Sequence, residues 1–360
     1  MKIGIFTQPL TTNYGGILQN YALQTILKSW GHDVVTFDIY RFNWFDWLNI
    51  NARTLIHRLL GHSYRHFTKT PASIKNTQMP LRSFALKHIS LSHPRTPWFK
   101  KKIITKYNPD AIIVGSDQIW RPAYNPHIED MFLCQTKGMN IKRIAFAASF
   151  GTDTWEYSER QTIECSILAK EFNAISVRED SAVKLCAEHL GVTAIQVLDP
   201  TLLLPTGKYI ELCNDIPTRK PFVYAYILDN NTEKINSIKM FAEDKGLDYV
   251  IKSAGSEICK GDSIELWLSY FRDATYVITD SFHGTVFSII FNKDFYVFSN
   301  ENRGNSRFDS LLGKLHLTER MIQKDIPNSD DRIDWPQINS LKEAEAKRST
   351  NWLKQALINR

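Results

Sequence analysis

The sequence predicts an α/β protein of two Rossmann-like domains facing each other across a cleft. Three observations carry this reading. The N-terminus opens with a β-loop-α-β unit, and a second alternation of strand and helix patterns begins after residue 205. The stretch Tyr276-Val-Ile-Thr-Asp-Ser-Phe-His-Gly-Thr-Val-Phe-Ser-Ile-Ile-Phe291 turns a buried-strand pattern into a helical one at Gly284. At 360 residues the length suits two ordinary domains, and 43% hydrophobic with 23% charged residues is a globular composition.

In chain order, Lys2–Thr7 reads as the first strand, followed by a loop over residues 8–16 and a helix from Ile17 to Trp30 ended by Gly31. Val34–Asp38 is the next strand. Gly15 and Gly16 at the helix entrance either let backbone amides approach a ligand or serve a tight turn, and Asn13, Gln19 and Asn20 add polar arms. Residues 41–70 differ in character. Phe42, Trp44, Phe45, Trp47 and several leucines alternate with Arg41, Arg53, Arg58, Arg65 and Lys69 against a single acid, Asp46. Such a mixture suits either a membrane interface or an excursion packed on the protein's own surface.

Ala111–Gly115 is a strand ending in Ser116-Asp-Gln-Ile-Trp120, so Asp117 falls at a carboxyl end, where open α/β sheets bind ligands. It is read as a general base, a substrate hydrogen-bond acceptor or a helix N-cap. A strand at Arg143–Ser149 and a helix over Tyr157–Glu171 lead to the strand Ala174–Val177, which delivers Arg178 and Glu179 to the same edge. Arg178 is a natural clamp for carboxylate or phosphate, or else an ion-pair partner of Glu179 or Asp180. Ile195–Leu198 ends in Asp199-Pro200, and Leu202–Pro221, with few periodic apolar positions, reads as the linker. Strands at Phe222–Leu228, Asp248–Ile251, Thr275–Asp280 and Phe295–Phe298 then alternate with helices at Asn231–Lys245 and Ser263–Arg272. A polar loop with Arg303 and Arg307 precedes a short helix, and Ser340–Ile358 is a charged amphipathic tail helix. At the turn of the 276–291 stretch, Ser281, His283 and Gly284 present backbone N–H groups and a positive dipole end to the crevice. His283 either exchanges protons there or caps the helix.

Several classes are excluded. No apolar run is long enough to span a bilayer, and the N-terminus runs directly into a strand without a signal-peptide pattern, so the protein is expected in the cytoplasm. Five cysteines, scattered and without a C-x-x-C pair, argue for reduced thiols and against zinc. A net charge of +6 with no dense basic face or nucleic-acid module points away from nucleic acid and suits an anionic small ligand or acidic membrane surface. Asp330-Asp-Arg-Ile-Asp334, the one acid cluster, reads as a solvated face, and no metal or cofactor is expected.

Six motifs in order resemble the polysaccharide pyruvyl transferase family over almost the whole chain. They are Asn13-Tyr-Gly-Gly-Ile-Leu-Gln-Asn-Tyr-Ala-Leu23, Val114-Gly-Ser-Asp-Gln-Ile-Trp120, Ser176-Val-Arg-Glu179, Val197-Leu-Asp-Pro200, Thr279-Asp-Ser-Phe-His-Gly284 and Asn305-Ser-Arg-Phe-Asp-Ser-Leu-Leu312. The resemblance implies the architecture of GT-B glycosyltransferases, with residues 1–205 as the acceptor-side domain, 206–335 as the donor-side domain and 336–360 as a helix packing back on the first. It also implies transfer of the enolpyruvyl group of phosphoenolpyruvate onto two hydroxyls of a sugar, giving a pyruvate ketal and phosphate. The Arg and His of the family's donor site match Arg178 and His283. Where the family has a Lys beyond the His, this chain has Asn302-Arg303-Gly304, which makes Arg303 the substitute.

On this reading Arg178, His283, Arg303, Ser281 and Gly284 bind phosphoenolpyruvate, and Asn13, Tyr14, Gly15, Gly16, Gln19, Asp117 and Gln118 meet the acceptor. His283 is the general acid, charged when the ligand binds, and Asp117 is the base or an acceptor ligand. The expected acceptor is a galactose-like sugar with free 4- and 6-hydroxyls on a lipid-linked precursor, for which residues 41–69 offer a peripheral membrane contact. Two other readings stay open. A glycosyltransferase using a nucleotide sugar would need a base-binding pocket in the second domain. A non-catalytic polysaccharide-assembly protein would tolerate replacement of His283 or Arg178.

Overall fold

The computed structural model describes residues 1–11, 13–40, 71–229, 231–253, 262–299, 305–328 and 331–358, with only the backbone for 71–78. The stretch 41–70 and Arg303 therefore lie outside the described residues. Two all-parallel sheets form the framework. The first joins β1 (Lys2–Phe6), β2 (Asp33–Thr36), β3 (Ala111–Val114), β4 (Lys142–Ala148), β5 (Ala174–Val177) and β6 (Ile195–Gln196) in the order β2-β1-β3-β4-β5-β6. The second joins β7 (Phe222–Ile227), β8 (Asp248–Ser253), β9 (Tyr276–Thr279), β10 (Asp294–Phe298) and β11 (Met321–Ile322) in the order β11-β10-β9-β7-β8.

Parallel strands covered on both faces must be apolar nearly throughout. Ala-Ile-Ile-Val in β3 and Phe-Val-Tyr-Ala-Tyr-Ile in β7 are buried at every position. Each sheet reverses its winding at one place, between β1 and β3 in the first and between β7 and β9 in the second. Ligands of open α/β sheets settle in the crevice at such reversals, outside the strands' carboxyl ends.

Helix α1 (Tyr14–Ser29) follows β1, with Asn13 as its N-cap accepting a hydrogen bond from the Gly16 N–H. Two further helices, α2 (Pro71–His88) and α3 (Lys101–Tyr107), lie between β2 and β3. The helical periodicity of α2 is weakened by Pro80 and a polar first half. The stretch 202–221, read as the linker, joins β6 of the first sheet to β7 of the second and contains a helix the sequence reading did not place, α6 (Thr206–Cys213), after α4 (Glu159–Ala169) and α5 (Asp180–Leu185). With eight residues it turns only Tyr209 and Cys213 fully inward, one i,i+4 pair, and that is too little periodicity to read from sequence.

In the second half α7 (Thr232–Asp244) and α8 (Ile264–Asp273) flank the sheet, and α9 (Phe282–Ile290) follows β9 directly. Helix α10 (Ser306–Lys314) leads to β11. The chain ends in α11 (Trp335–Ile358), which begins five residues before the tail helix expected from Ser340. Leu353, Ala356 and Leu357 of α11 pack on Ile3, Ile5, Ile113, Ile144 and Phe146 of the first sheet. One core is shared between the halves. Tyr14, Ile17 and Leu18 of α1 bury with Trp267, Phe282 and Phe287, Tyr14 stacks on Trp267 with ring centroids 5.3 Å apart, and its hydroxyl donates to the Asp262 carbonyl (2.9 Å).

Candidate active site

The carboxyl ends of β1, β3 and β5 and the start of α9 meet at the seam between the two sheets. From the first sheet come Asn13, Asp117, Arg178 and Asp199, and from the second comes His283. His283 reaches the seam because residue 15 has no side chain, since a Cβ there would stand 2.0 Å from His283 Nδ1. The two Gly-containing motifs are therefore two halves of one contact.

Arg178 follows β5 and is 5% exposed. Its Nη1 donates to Asp199 Oδ2 at 2.8 Å, while Asp117 Oδ1 lies 3.9 Å from Nη2 and Glu179 Oε2 lies 4.0 Å from Nε. Asp199 is thus its hydrogen-bonded partner, and the adjacent Glu179 stands at ion-pair distance. Burial acts to lower the Arg178 pKa, but Asp199, Glu179 and Asp117 outweigh it and raise the value. For Asp199, burial would raise the pKa. The neighbouring His283 ring, the Arg178 charge and the Thr201 hydroxyl overcome that and hold it well below the carboxylate range. Asp199 Oδ2 also accepts from Gln19 Nε2 (2.5 Å) and faces His283 Nε2 at 3.8 Å, and Oδ1 accepts from the Thr201 N–H (3.0 Å) and hydroxyl (2.6 Å).

Asp117 sits in the left-handed region (φ 63°) directly after β3 and does not cap a helix of its own. Its Oδ2 accepts from Asn13 Nδ2 at 2.6 Å and its Oδ1 from the Gln118 N–H at 2.9 Å. Glu179 is fixed through Oε1, which accepts from Ser149 Oγ (2.8 Å), Phe150 N (2.8 Å) and Gly151 N (3.0 Å).

Four buried polar atoms at this seam have no hydrogen-bond partner among the described residues: Arg178 Nε and Nη2, Glu179 Oε2 and His283 Nε2. Glu179 Oε2 is an acceptor that lies 4.0 Å from Arg178 Nε, while Arg178 Nη2 and the His283 ring nitrogen can each donate to an acceptor-rich molecule. The face of Phe282 closes one side, with the Arg178 guanidinium 4.5 Å from its ring centroid.

The other expected residues also make contacts within the protein. Ser281 Oγ caps α9 by accepting from the Gly284 N–H at 3.3 Å. Gly284 gives room to β9, because a Cβ would stand 2.2 Å from Thr279 Oγ1. Gln19 donates to Ser116 Oγ (2.9 Å) as well as to Asp199, so it orients the site from behind. Tyr14 points into the shared core, Gln118 Oε1 accepts from Arg121 Nη1 (3.1 Å), and Gly16 lies beneath Asn13 and Asp117. Asp280 ties β9 to β7, accepting from the Leu228 N–H (2.5 Å), the Asp229 N–H (3.1 Å) and Lys234 Nζ (2.8 Å).

Sequence reasoning assigned no role to Asp199 or Phe282 and offered Glu179 only as an ion-pair partner of Arg178, although all three lie inside the quoted motifs. The Asp-Pro at the end of β6 was the available signal for Asp199. Among the described residues no group of three His, Cys, Asp or Glu side chains could hold a metal, and no helix is long and apolar enough to cross a membrane.

The sequence profile of the family described as polysaccharide pyruvyl transferase matches residues 13–302. Comparison with curated protein sequences gives no significant match. Among solved structures, the UDP-GlcNAc 2-epimerase of Methanocaldococcus jannaschii in complex with UDP-GlcNAc and UDP aligns over 100% of both chains at 10% identity and a TM-score of 0.51. The UDP-GlcNAc 2-epimerase of Neisseria meningitidis bound to UDP-GlcNAc does so over 100% of both chains at 11% identity and a TM-score of 0.51. At these identities the likeness is one of fold, and it places the chain in the two-domain GT-B architecture.

Proposed function

The chain belongs to the polysaccharide pyruvyl transferase family, and from that premise we propose that it moves the enolpyruvyl group of phosphoenolpyruvate onto O4 and O6 of a galactose-like sugar in a lipid-linked polysaccharide precursor. The observation that carries the donor reading is the set of buried, unpartnered N–H donors of Arg178 and His283 at the seam. A small polyanion supplies what those donors need, in a site where water is scarce and each hydrogen bond to a charge counts for more.

The chemistry distributes as follows. His283 delivers a proton to the methylene carbon of the donor, which makes its C2 electrophilic. Asp117, already steadied by Asn13 and the Gln118 N–H, takes the proton of the first sugar hydroxyl as that oxygen bonds to C2. The C2–O bond to phosphate then breaks, phosphate leaves with the bonding pair, and the second hydroxyl closes the ring on C2 and gives up its proton. Arg178 holds the donor's anionic groups. Asp199, 3.8 Å from His283 Nε2, faces the imidazole from the side of the first sheet. The aromatic-basic stretch 41–69 would meet the headgroup surface at which a polyprenyl-linked acceptor is held.

The test is incubation of the protein with phosphoenolpyruvate and a panel of lipid-linked saccharides, following phosphate release and product mass. Acceptor-dependent phosphate and a product heavier by one pyruvate ketal are expected. His283→Ala should lower turnover by about 10²–10⁴-fold with little change in melting temperature. Turnover of a nucleotide sugar with none of phosphoenolpyruvate would sink the proposal, as would full activity of the His283 variant.

A further inference from the structure

The clamp on the donor needs a second cation, because Arg178 is already matched by Asp199 at 2.8 Å and cannot by itself offset a polyanion placed beside that carboxylate. Arg307 has the properties of such a cation. It sits in the first turn of α10, is 7% exposed, and its guanidinium lies 5.5 Å from the centroid of the same Phe282 ring that Arg178 contacts. Among the described residues its Nε is buried without a hydrogen-bond partner, as is the neighbouring Ser306 Oγ.

The placement runs against local electrostatics in two ways. A cation in the first turn of a helix meets the positive end of the dipole, and two guanidiniums share one ring. Burial and the Arg178 charge lower the Arg307 pKa to about 10. The ring face of Phe282 and the more distant charges of Asp117 and Glu179 compensate only part of this, and no carboxylate forms an ion pair with Arg307 among the described residues. The helix N-terminus and the Arg307 Nε, which has no hydrogen-bond partner among the described residues, both offer N–H donors at the start of α10.

We infer that Arg307 is a donor-binding residue that forms with Arg178 a two-guanidinium clamp around Phe282 for a phosphate or carboxylate group. This rests on the donor reading above, and it assigns to Arg307 the third-cation role expected of Arg303. The clamp spans the two domains, with Arg178 on the first and Phe282 and Arg307 on the second, so binding of the anion draws both onto the same ligand.

Calorimetric titration of the full chain and of Arg307→Gln, Arg307→Lys and Arg303→Gln with phosphoenolpyruvate, inorganic phosphate and pyruvate tests it. Melting temperatures are measured in parallel without ligand. Arg307→Gln should weaken phosphoenolpyruvate binding by about 10–100-fold, the range for loss of a charged hydrogen bond. Arg307→Lys should recover part of that loss. The unliganded melting temperature of Arg307→Gln should hold or rise, since a buried charge without a close counter-ion is removed. The arm that loses more affinity, phosphate or pyruvate, identifies the group that Arg307 holds. Unchanged phosphoenolpyruvate affinity in Arg307→Gln overturns the clamp and leaves the donor reading standing, and more firmly so if Arg303→Gln loses affinity. A wild-type chain that binds phosphate through Arg307 but not phosphoenolpyruvate supports the clamp and overturns the donor. A wild-type chain that binds none of the three overturns both.

Discussion

Asp199 is the residue on which the site's charges converge, since Arg178, Gln19 and Thr201 all donate to it and His283 faces it. Its folded pKa lies below the value of about 3.9 for a free aspartate. A group depressed in this way contributes stability that is fully present above the unfolded pKa and is lost as pH falls below it toward the folded value. Asp199→Asn should therefore destabilise the protein at neutral pH by about 3–5 kcal/mol, because it leaves Arg178 buried without its counter-charge. It should also flatten the stability–pH profile below about pH 4 relative to wild type. Urea unfolding across that range reads both effects, and an unchanged acid slope would show that the pair contributes nothing to stability. At this scale the sequence showed Arg178, His283 and Asp117 plainly, because each stands at the end of an apolar run. It could not show which acid Arg178 chooses. Glu179 and Asp180 are adjacent in the chain, yet Glu179 Oε1 is occupied by Ser149 and two backbone amides, and Asp180 Oδ1 accepts from Ser310 Oγ and the Ser181 N–H.

The element that decides the site's shape is the β9–α9 turn, which brings helix and strand into closer contact than any side chain at residue 284 would allow. Thr279 Oγ1 donates to the Tyr226 carbonyl (2.6 Å), accepts from the Ser281 N–H (3.0 Å), and stands where a Gly284 Cβ would project. Thr279 is tied to backbone on both sides and cannot yield. Gly284→Ala should cost about 1–3 kcal/mol in denaturant unfolding, and a neutral result would mean that α9 slides freely on β9. The turn was legible in the sequence because a change of period from strand to helix and a glycine coincide there. The short helix α6 was not, and neither was α2, where Pro80 and a polar first half mask the repeat.

For the whole molecule, α11 is the device that ties the end of the chain to its beginning. The fully buried Leu353 packs with Ile3, Ile5, Ile144 and Phe146, and Trp352 stacks on Phe146 with centroids 6.1 Å apart. Leu353→Ala should destabilise the protein by about 2–5 kcal/mol, the range for a large-to-small change in a packed core, measured by urea unfolding. A loss below about 1 kcal/mol would mean that the first sheet holds without its C-terminal cover.

By itself the sequence determined the α/β class, the two parallel windings and the family, and it placed Arg178 and His283 at strand and helix ends. Periodicity, glycine placement and motif order are local properties, and the backbone obeys them wherever the chain goes. Tertiary structure alone decided that Gly15 exists to admit His283, that Asp199 is the counter-charge of Arg178, and that Arg307 shares the ring of Phe282. Each of these joins residues far apart in sequence across the seam of two sheets. Charge pairing, close approach and burial depend on distance in space, which no spacing along the chain encodes.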